Sequence, residues 1–389
     1  MSSQLNPSLP DPAAAERDHS ARVVDAVRAE IARSGGWVAF ARYMQIVLYA
    51  PGLGYYVAGA HKFGPGGDFV TAPETTSLFA QALAAQVAPI LAATAAREIV
   101  EFGAGSGALA ADMLNALAKL GALPSRYAII EVSPDLRERQ RARVVRVAPG
   151  HAARVEWLDA LPATIDGAVV MNEVLDALPP HLIARRDGQW LERGVTCADT
   201  LSWEDRPLVD ESLRTLAVER FPAAVDYVSE INPAAEALIE DVGRRMTGGA
   251  LLVFDYGFPQ SEYYHPQRSE GTLMGHYRHH AHTNPFLWPG LSDLTAHVDF
   301  TAIALAGERA GLEVAGYAPQ AAFLLGCGIL ERLHDAGDPM SVVYLREAAA
   351  VHKLTSPAEM GELFKVLALA KSDDIRWPGF AMADRTHRL

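Results

Sequence analysis

The residues best suited to chemistry start with Gly103-Ala104-Gly105-Ser106-Gly107, set between the apolar run Ile99 to Phe102 and the helix-forming run that opens at Ala108. A strand that enters a glycine turn and leaves it as a helix presents free backbone N–H groups and the positive end of a helix dipole, with no Cβ to keep a ligand away. Such a turn suits an anion, either the pyrophosphate of a dinucleotide or the carboxylate of S-adenosylmethionine. Spacing admits both, because Gly103, Gly105 and Ala108 also satisfy the looser dinucleotide pattern. Three neighbours favour the second ligand. Glu101, two residues before the first glycine, would face the same crevice and attract a ligand ammonium group, which a nicotinamide dinucleotide does not have. Glu131 ends the next strand, where ribose hydroxyls can donate to it. Asp159 and Ala160 follow the third strand and suit the edge and face of an adenine.

A second set of polar residues ends the fourth strand, in GAVVMNEVLDALP. Asn172 and Glu173 stand at its carboxyl end, the edge of an open parallel sheet where ligands bind. If the acceptor of a methyl group is a guanidinium, whose pKa exceeds ~12, carboxylates must orient it and take its proton as the new bond forms. Glu173 fits that role, with Asp176 one turn on; capping of the following turn is the alternative for Asn172 and Asp176. Asp293, His297 and Asp299 would line the cleft if their segment is extended, because alternate residues then share a side. Thr71 and Glu74 have capping-box spacing and, with Asp68, also suit the lining of the cofactor site. Asp255 and Tyr256 end the fifth strand without an assigned role. The histidines between His276 and His282 match no standard ligand spacing and have no cysteine partners, so no metal is expected.

These residues need a frame, and the chain from residue 97 supplies one. Strands are expected at 98–102, 127–131, 154–157, 168–172, 250–254, 312–317 and 364–370, with helices between most of them. That alternation predicts an α/β, doubly wound, mostly parallel sheet of seven strands. The expected organisation is a leader over 1–20, a helical region with a glycine- and aromatic-rich loop over 21–96, the catalytic domain over 97–371 and a tail over 372–389. The first helix spans about 20–34 with Val23, Val24, Val27 and Ile31 on one face, and another runs from TAPE to about residue 96. Two insertions interrupt the domain. One, at about 180–248, opens with a hairpin at Asp187-Gly188; the other, at about 257–299, shows no clear periodicity and reads as a long loop or lid.

Composition bounds the function. The chain of 389 residues is 50% hydrophobic, enough for a full core, and its 34 basic against 47 acidic residues leave a net charge of −13. That charge repels phosphate backbones and argues against a nucleic-acid partner. No window offers the ~18 uninterrupted apolar residues of a membrane span, so no membrane insertion is expected. Two cysteines, Cys197 and Cys327, and a first segment with no apolar stretch point to a bacterial cytoplasm. Exposed aromatics in the insertions, Trp190, Trp203, Phe286 and Trp288, would suit a homodimer.

Several separated blocks resemble one family in order: GYY at 54–56, FGPGGDFVTAPE at 63–74, VEFGAGSGALAADML at 100–114, NEVLDALP at 172–179, LLVFDYG at 251–257, GTLMGHYRHH at 271–280, DLTAHVDFTAI at 293–303 and FKVLALAK at 364–371. The chain resembles the MidA family of S-adenosylmethionine-dependent methyltransferases, which includes the mitochondrial complex I assembly factor. The resemblance implies a class I Rossmann-like methyltransferase sheet with S-adenosylmethionine at 103–107 and Glu131. It also implies a protein arginine as acceptor, on a respiratory complex I subunit in the mitochondrial relatives. Two rival functions are a non-catalytic assembly factor whose fold the cofactor stabilises, and an NAD-dependent oxidoreductase.

Overall fold

The computed structural model describes residues 9–58, 71–222 and 226–389. They form two compact units, each assembled from separate stretches of chain. One holds residues 71–175, 235–259 and 298–389; the other holds 9–58, 176–222, 226–234 and 260–297.

The first unit is built on an eight-stranded mixed sheet: β1 (Glu98–Phe102), β2 (Arg126–Ile130), β3 (Val155–Leu158), β4 (Ile165–Asn172), β5 (Met246–Phe258), β6 (Val298–Asp299), β7 (Glu313–Pro319) and β8 (Phe364–Ala370). The order across the sheet is β7-β8-β5-β4-β1-β2-β3, with β6 beside β5. β1 through β5 run parallel to one another, whereas β8 is antiparallel to both β5 and β7. The seven expected strands are thus present, with one antiparallel member and an eighth, two-residue strand at the end of β5. The inner strands read as unbroken apolar runs because helices cover both faces. Ile99, Ile129, Val170, Leu252 and Phe254 pack with Leu83 and Val87 of helix Ser77–Ala92 and with Leu109 and Leu114 of helix Ala108–Lys119 in one buried cluster. The reversal at β1, where the chain leaves toward β2 on one side and β4 on the other, opens the crevice beside the glycine turn.

Two expectations change here. The helix begun at TAPE breaks: Ala72–Thr75 is a single turn, and Ser77–Ala92 restarts on Thr76, whose side chain accepts from Leu78 N at 3.0 Å. The segment expected as a tail is packed, with Ile375 and Phe380 buried in the core cluster and Asp384 Oδ1 accepting from Tyr317 N at 3.1 Å.

The second unit has its own core. Val23, Val27 and Ile31 of helix Ala14–Arg33 pack with Phe40, Tyr43 and Val47 of helix Phe40–Tyr49. The first helix thus starts at Ala14 rather than near residue 20, and Glu16 caps it by accepting from Ala13 N at 2.6 Å. Strands His181–Arg186 and Gln189–Cys197 form the hairpin expected at Asp187-Gly188, both turn residues having positive φ. The segment read as an aperiodic loop instead contains a three-stranded antiparallel sheet of Met274–Tyr277, His280–His282 and Asp293–Thr295. Its strands are three or four residues long, too short for an alternation to register in sequence. Of the aromatics expected to be exposed, Trp203 is exposed and lies 4.8 Å from Phe286 and 5.4 Å from Phe40; Trp190 and Trp288 are half-buried, 5.7 Å from Phe221 and 4.8 Å from Tyr277. Among the described residues, no helix is long and apolar enough to cross a membrane and no three His, Cys, Asp or Glu side chains group to hold a metal.

Candidate cofactor and acceptor site

The glycine turn leaves β1 with φ of +59° at Gly103, +52° at Gly105 and +81° at Gly107. Three left-handed residues in five make a tight turn directly before helix Ala108–Lys119, whose N-terminus carries the positive end of the helix dipole. Gly103 N donates to Ile130 O of β2 at 3.1 Å and Gly107 N to Ala104 O at 2.7 Å, closing the turn on itself. Ala104 is buried beneath it.

Two carboxylates flank the turn. Glu101 on β1 is 3% exposed and accepts from Tyr127 Oη at 2.7 Å. Burial pushes its carboxyl up to about 7; the Tyr127 hydroxyl opposes that rise and the Glu131 charge adds to it. Glu131, directly after β2, accepts from Ser133 N at 2.9 Å on one oxygen and from Gln140 Nε2 at 3.0 Å on the other. Burial raises its pKa too, against N–H donors that favour the charged form. The Glu131 charge acts on Glu101, so the two carboxylates are neighbours. Asp159 and Ala160 stand exposed after β3, Asp159 paired with Arg137 at 2.7 Å.

Asn172 and Glu173 end β4 as expected. Glu173 sits at φ +54°, uncommon for a residue with a Cβ, and its N–H donates to Phe254 O of β5 at 2.9 Å. Asn172 Nδ2 donates to Glu173 Oε1 at 3.2 Å. Asp255, left without a role by its sequence, is fully buried and accepts from Leu175 N at 2.9 Å, so it holds the turn that carries Glu173. Asn172 Oδ1 is buried with no hydrogen-bond partner, an acceptor that a ligand donor at this edge would satisfy.

Thr71 makes no side-chain cap; its carbonyl accepts from Glu74 N at 3.0 Å, and Glu74 itself bonds Ser106 Oγ and Arg143. Asp68 lies outside the described residues. Asp176 and His297 belong to the second unit and Glu173 to the first. Asp176 is 5% exposed, its carboxyl pushed up to about 7 by burial, and its carbonyl accepts from Ala296 N at 2.9 Å. His297 is half-buried, its backbone N–H held by Thr272 Oγ1 at 2.9 Å and its carbonyl by Tyr263 Oη at 3.0 Å. Asp293 accepts from Tyr56 Oη at 2.8 Å. Asp299 proves to be a cap, its Oδ1 accepting from Thr301 N and Ala302 N at the start of helix Phe300–Arg309. Asp299 is itself extended, as the last residue of β6, and caps the helix that starts directly after it.

A glycine turn after β1, a carboxylate after β2 and polar residues after β4, on a mixed sheet covered by helices, define a methyltransferase-type α/β unit. The residue set suits S-adenosylmethionine: the glycine turn and helix N-terminus for its carboxylate, Glu101 for its ammonium and Glu131 for its ribose. Residues 82–318 match the family model described as S-adenosyl-L-methionine-dependent methyltransferase, and the chain belongs to that family. Its cofactor is therefore S-adenosyl-L-methionine rather than a nicotinamide dinucleotide. The chain is similar to the mitochondrial protein arginine methyltransferase NDUFAF7 of Mus musculus, at 29% identity over 87% of this chain and 82% of the relative. For the Homo sapiens protein of that name the figures are 30%, 87% and 81%. A solved structure of a Burkholderia thailandensis protein bound to S-adenosyl-homocysteine is 49% identical, with a TM-score of 0.94, covering 98% of this chain and 100% of that one.

Proposed function

We propose that the protein transfers a methyl group from S-adenosylmethionine to an arginine nitrogen of a protein substrate, and that a respiratory complex I subunit is the first target to try. The observation carrying this reading is Glu173, a carboxylate held in a left-handed conformation at the carboxyl end of β4. Likeness to protein arginine methyltransferases over 87% of the chain supports it. The strand order, with its single antiparallel strand, supports a class I Rossmann-like assignment. The bound cofactor supplies an electrophilic methyl group on a sulfonium sulfur. A guanidinium is a poor nucleophile because its charge is delocalised over three nitrogens, so the protein must fix one nitrogen and remove its proton. Glu173 accepts N–H hydrogen bonds from the acceptor, then takes the proton as the N–CH3 bond forms and the S–CH3 electron pair stays on sulfur. Asn172 orients that carboxylate through its amide. We also assign the protein to a bacterial cytoplasm, which fractionation would test.

The decisive experiment incubates purified protein, methyl-labelled S-adenosylmethionine and the candidate subunit, with mass spectrometry of its arginines and a count of S-adenosylhomocysteine formed. One methyl on arginine per product molecule is the expected result. Cofactor binding without product on any protein would overturn the reading in favour of a non-catalytic assembly factor.

A further inference from the structure

One helix reaches the glycine turn, Glu131 and the end of β3. Helix Pro134–Val147 follows β2 directly, and Arg137, Gln140 and Arg143 recur on it at every third residue, which puts them on one face. Arg137 Nε donates to Glu131 O at 2.6 Å and its Nη2 to Leu158 O at 2.8 Å, tying the end of β2 to the end of β3. Arg143 donates to Ser106 Oγ at 2.6 Å and to both oxygens of Glu74 at 3.1 Å. Between them Gln140 is fully buried. Its Nε2 donates to Gly105 O and to Glu131 Oε2, each at 3.0 Å, while its Oε1 accepts from the Trp157 indole at 2.8 Å.

We propose that Gln140 is the positioning residue of the cofactor site, locking the glycine turn, the Glu131 carboxylate and β3 into one hydrogen-bonded unit. The inference rests on the cofactor reading above and deepens it. A side-chain amide suits this place because it combines two donor hydrogens and an acceptor on one plane, and all three are used. Glu131 is then held on both oxygens, by Ser133 N on one and Gln140 Nε2 on the other, which fixes the plane of the carboxylate offered to the hydroxyls of a ribose. Gly107 lies against the same residue: a Cβ there would sit 3.1 Å from Gln140 Cα. A neutral residue in a polar, arginine-rich helix, Gln140 acts only through the two groups that touch ligand.

Two substitutions test this. Gln140→Glu keeps the shape and the acceptor for Trp157, but turns an oxygen toward Glu131 and the Gly105 carbonyl. Gln140→Met keeps the volume and removes both functions. The readouts are calorimetric titration with S-adenosylhomocysteine at about pH 6 and about pH 8, and KM for S-adenosylmethionine against kcat. Two carboxylates this close repel when both are ionised, so the affinity of Gln140→Glu falls at least about tenfold at about pH 8 and recovers in part at about pH 6, where a shared proton relieves the repulsion. The charged groups facing that pair are Glu101 on β1 and Arg137 on the helix, and wild-type protein carries both at each pH as the control. Gln140→Met loses affinity at both pH values and, like the other variant, raises KM more than it lowers kcat. Wild-type affinity in both variants at about pH 8, or equal losses in KM and kcat, would overturn the proposal. Wild-type protein that binds no S-adenosylhomocysteine would instead overturn the cofactor reading, and this inference with it.

Discussion

Gly107→Ala tests whether the glycine turn is set by its contact with Gln140 or by backbone geometry alone. Gly107 combines φ +81° with a would-be Cβ at 3.1 Å from Gln140 Cα and 3.3 Å from its Cβ and Cγ. The left-handed conformation costs a residue with a Cβ about 1–2 kcal/mol. Forcing a methyl group against a packed neighbour adds about 1–3 kcal/mol, and the stiffer unfolded chain returns about 0.4–1 kcal/mol. The net loss is about 3 kcal/mol, below the stability of a typical domain at about 5–15 kcal/mol, so the variant still folds at 25 °C. With an unfolding entropy of about 2.1 cal/mol/K per residue, the 389 residues give about 0.8 kcal/mol/K and a Tm lower by about 4 °C. If this unit unfolds by itself the drop is larger. Two controls separate the terms. Gly121 has φ +65° with nothing within 4 Å of its would-be Cβ, so Gly121→Ala shows the backbone cost alone, about 1 kcal/mol net. Gly150 has neither constraint, and Gly150→Ala stays within about 0.5 kcal/mol. Denaturant unfolding of the three variants, with a titration of each by S-adenosylhomocysteine, makes the comparison. A Gly107→Ala no less stable than Gly121→Ala, with wild-type affinity for the ligand, would refute the argument.

Three other outcomes follow from the site. Glu173→Gln should retain cofactor affinity and lose roughly 10²–10⁴-fold in turnover, the usual scale for a proton acceptor; a methylation assay showing normal kcat would remove Glu173 from the chemistry. Cofactor affinity should rise with pH as Glu101 ionises near 7, then level or fall once an α-amino group deprotonates at about 8; Glu101→Gln should abolish the rising limb, and an unchanged profile would dissociate Glu101 from the ammonium. Stability should respond in opposite senses to two kinds of buried group. Glu101 and Asp176 have folded pKa values raised to about 7, so their contribution is full below about pH 4 and is lost as pH rises through about 7. His276 and His282 are lowered by burial, so theirs is present above about 6.5 and is lost as pH falls. Replacing both histidines by apolar residues should flatten the acid side of the stability curve below about 6.5, and an unaltered acid limb would show that they do not govern it.

Much of this protein is local and therefore readable from its sequence. The inner strands announce themselves because a strand buried on both faces tolerates only apolar residues, and the glycine turn because three left-handed residues in five exclude most side chains. Glu101, Glu131, Asn172 and Glu173 could be named because a strand end fixes which residues reach the carboxyl edge. The rest depends on which elements meet. Gln140 looks like one more polar residue in a charged helix until that helix crosses the ends of β1 and β3, and Asp255 has no role until β5 lies beside the turn after β4. Thr76 takes the cap that Thr71 was expected to provide, and Asp299 becomes a cap because helix Phe300–Arg309 starts directly after it. The short sheet of Met274–Tyr277, His280–His282 and Asp293–Thr295 had too few residues per strand to show a period. Sequence determined the strands, the turn and the side chains at their ends, where each residue answers to its own neighbours along the chain. Only tertiary structure decided which buried hydrogen bonds hold them in place, because a donor and an acceptor 35 residues apart, such as Gln140 and Gly105, acquire a partner only when the fold brings them within 3.0 Å.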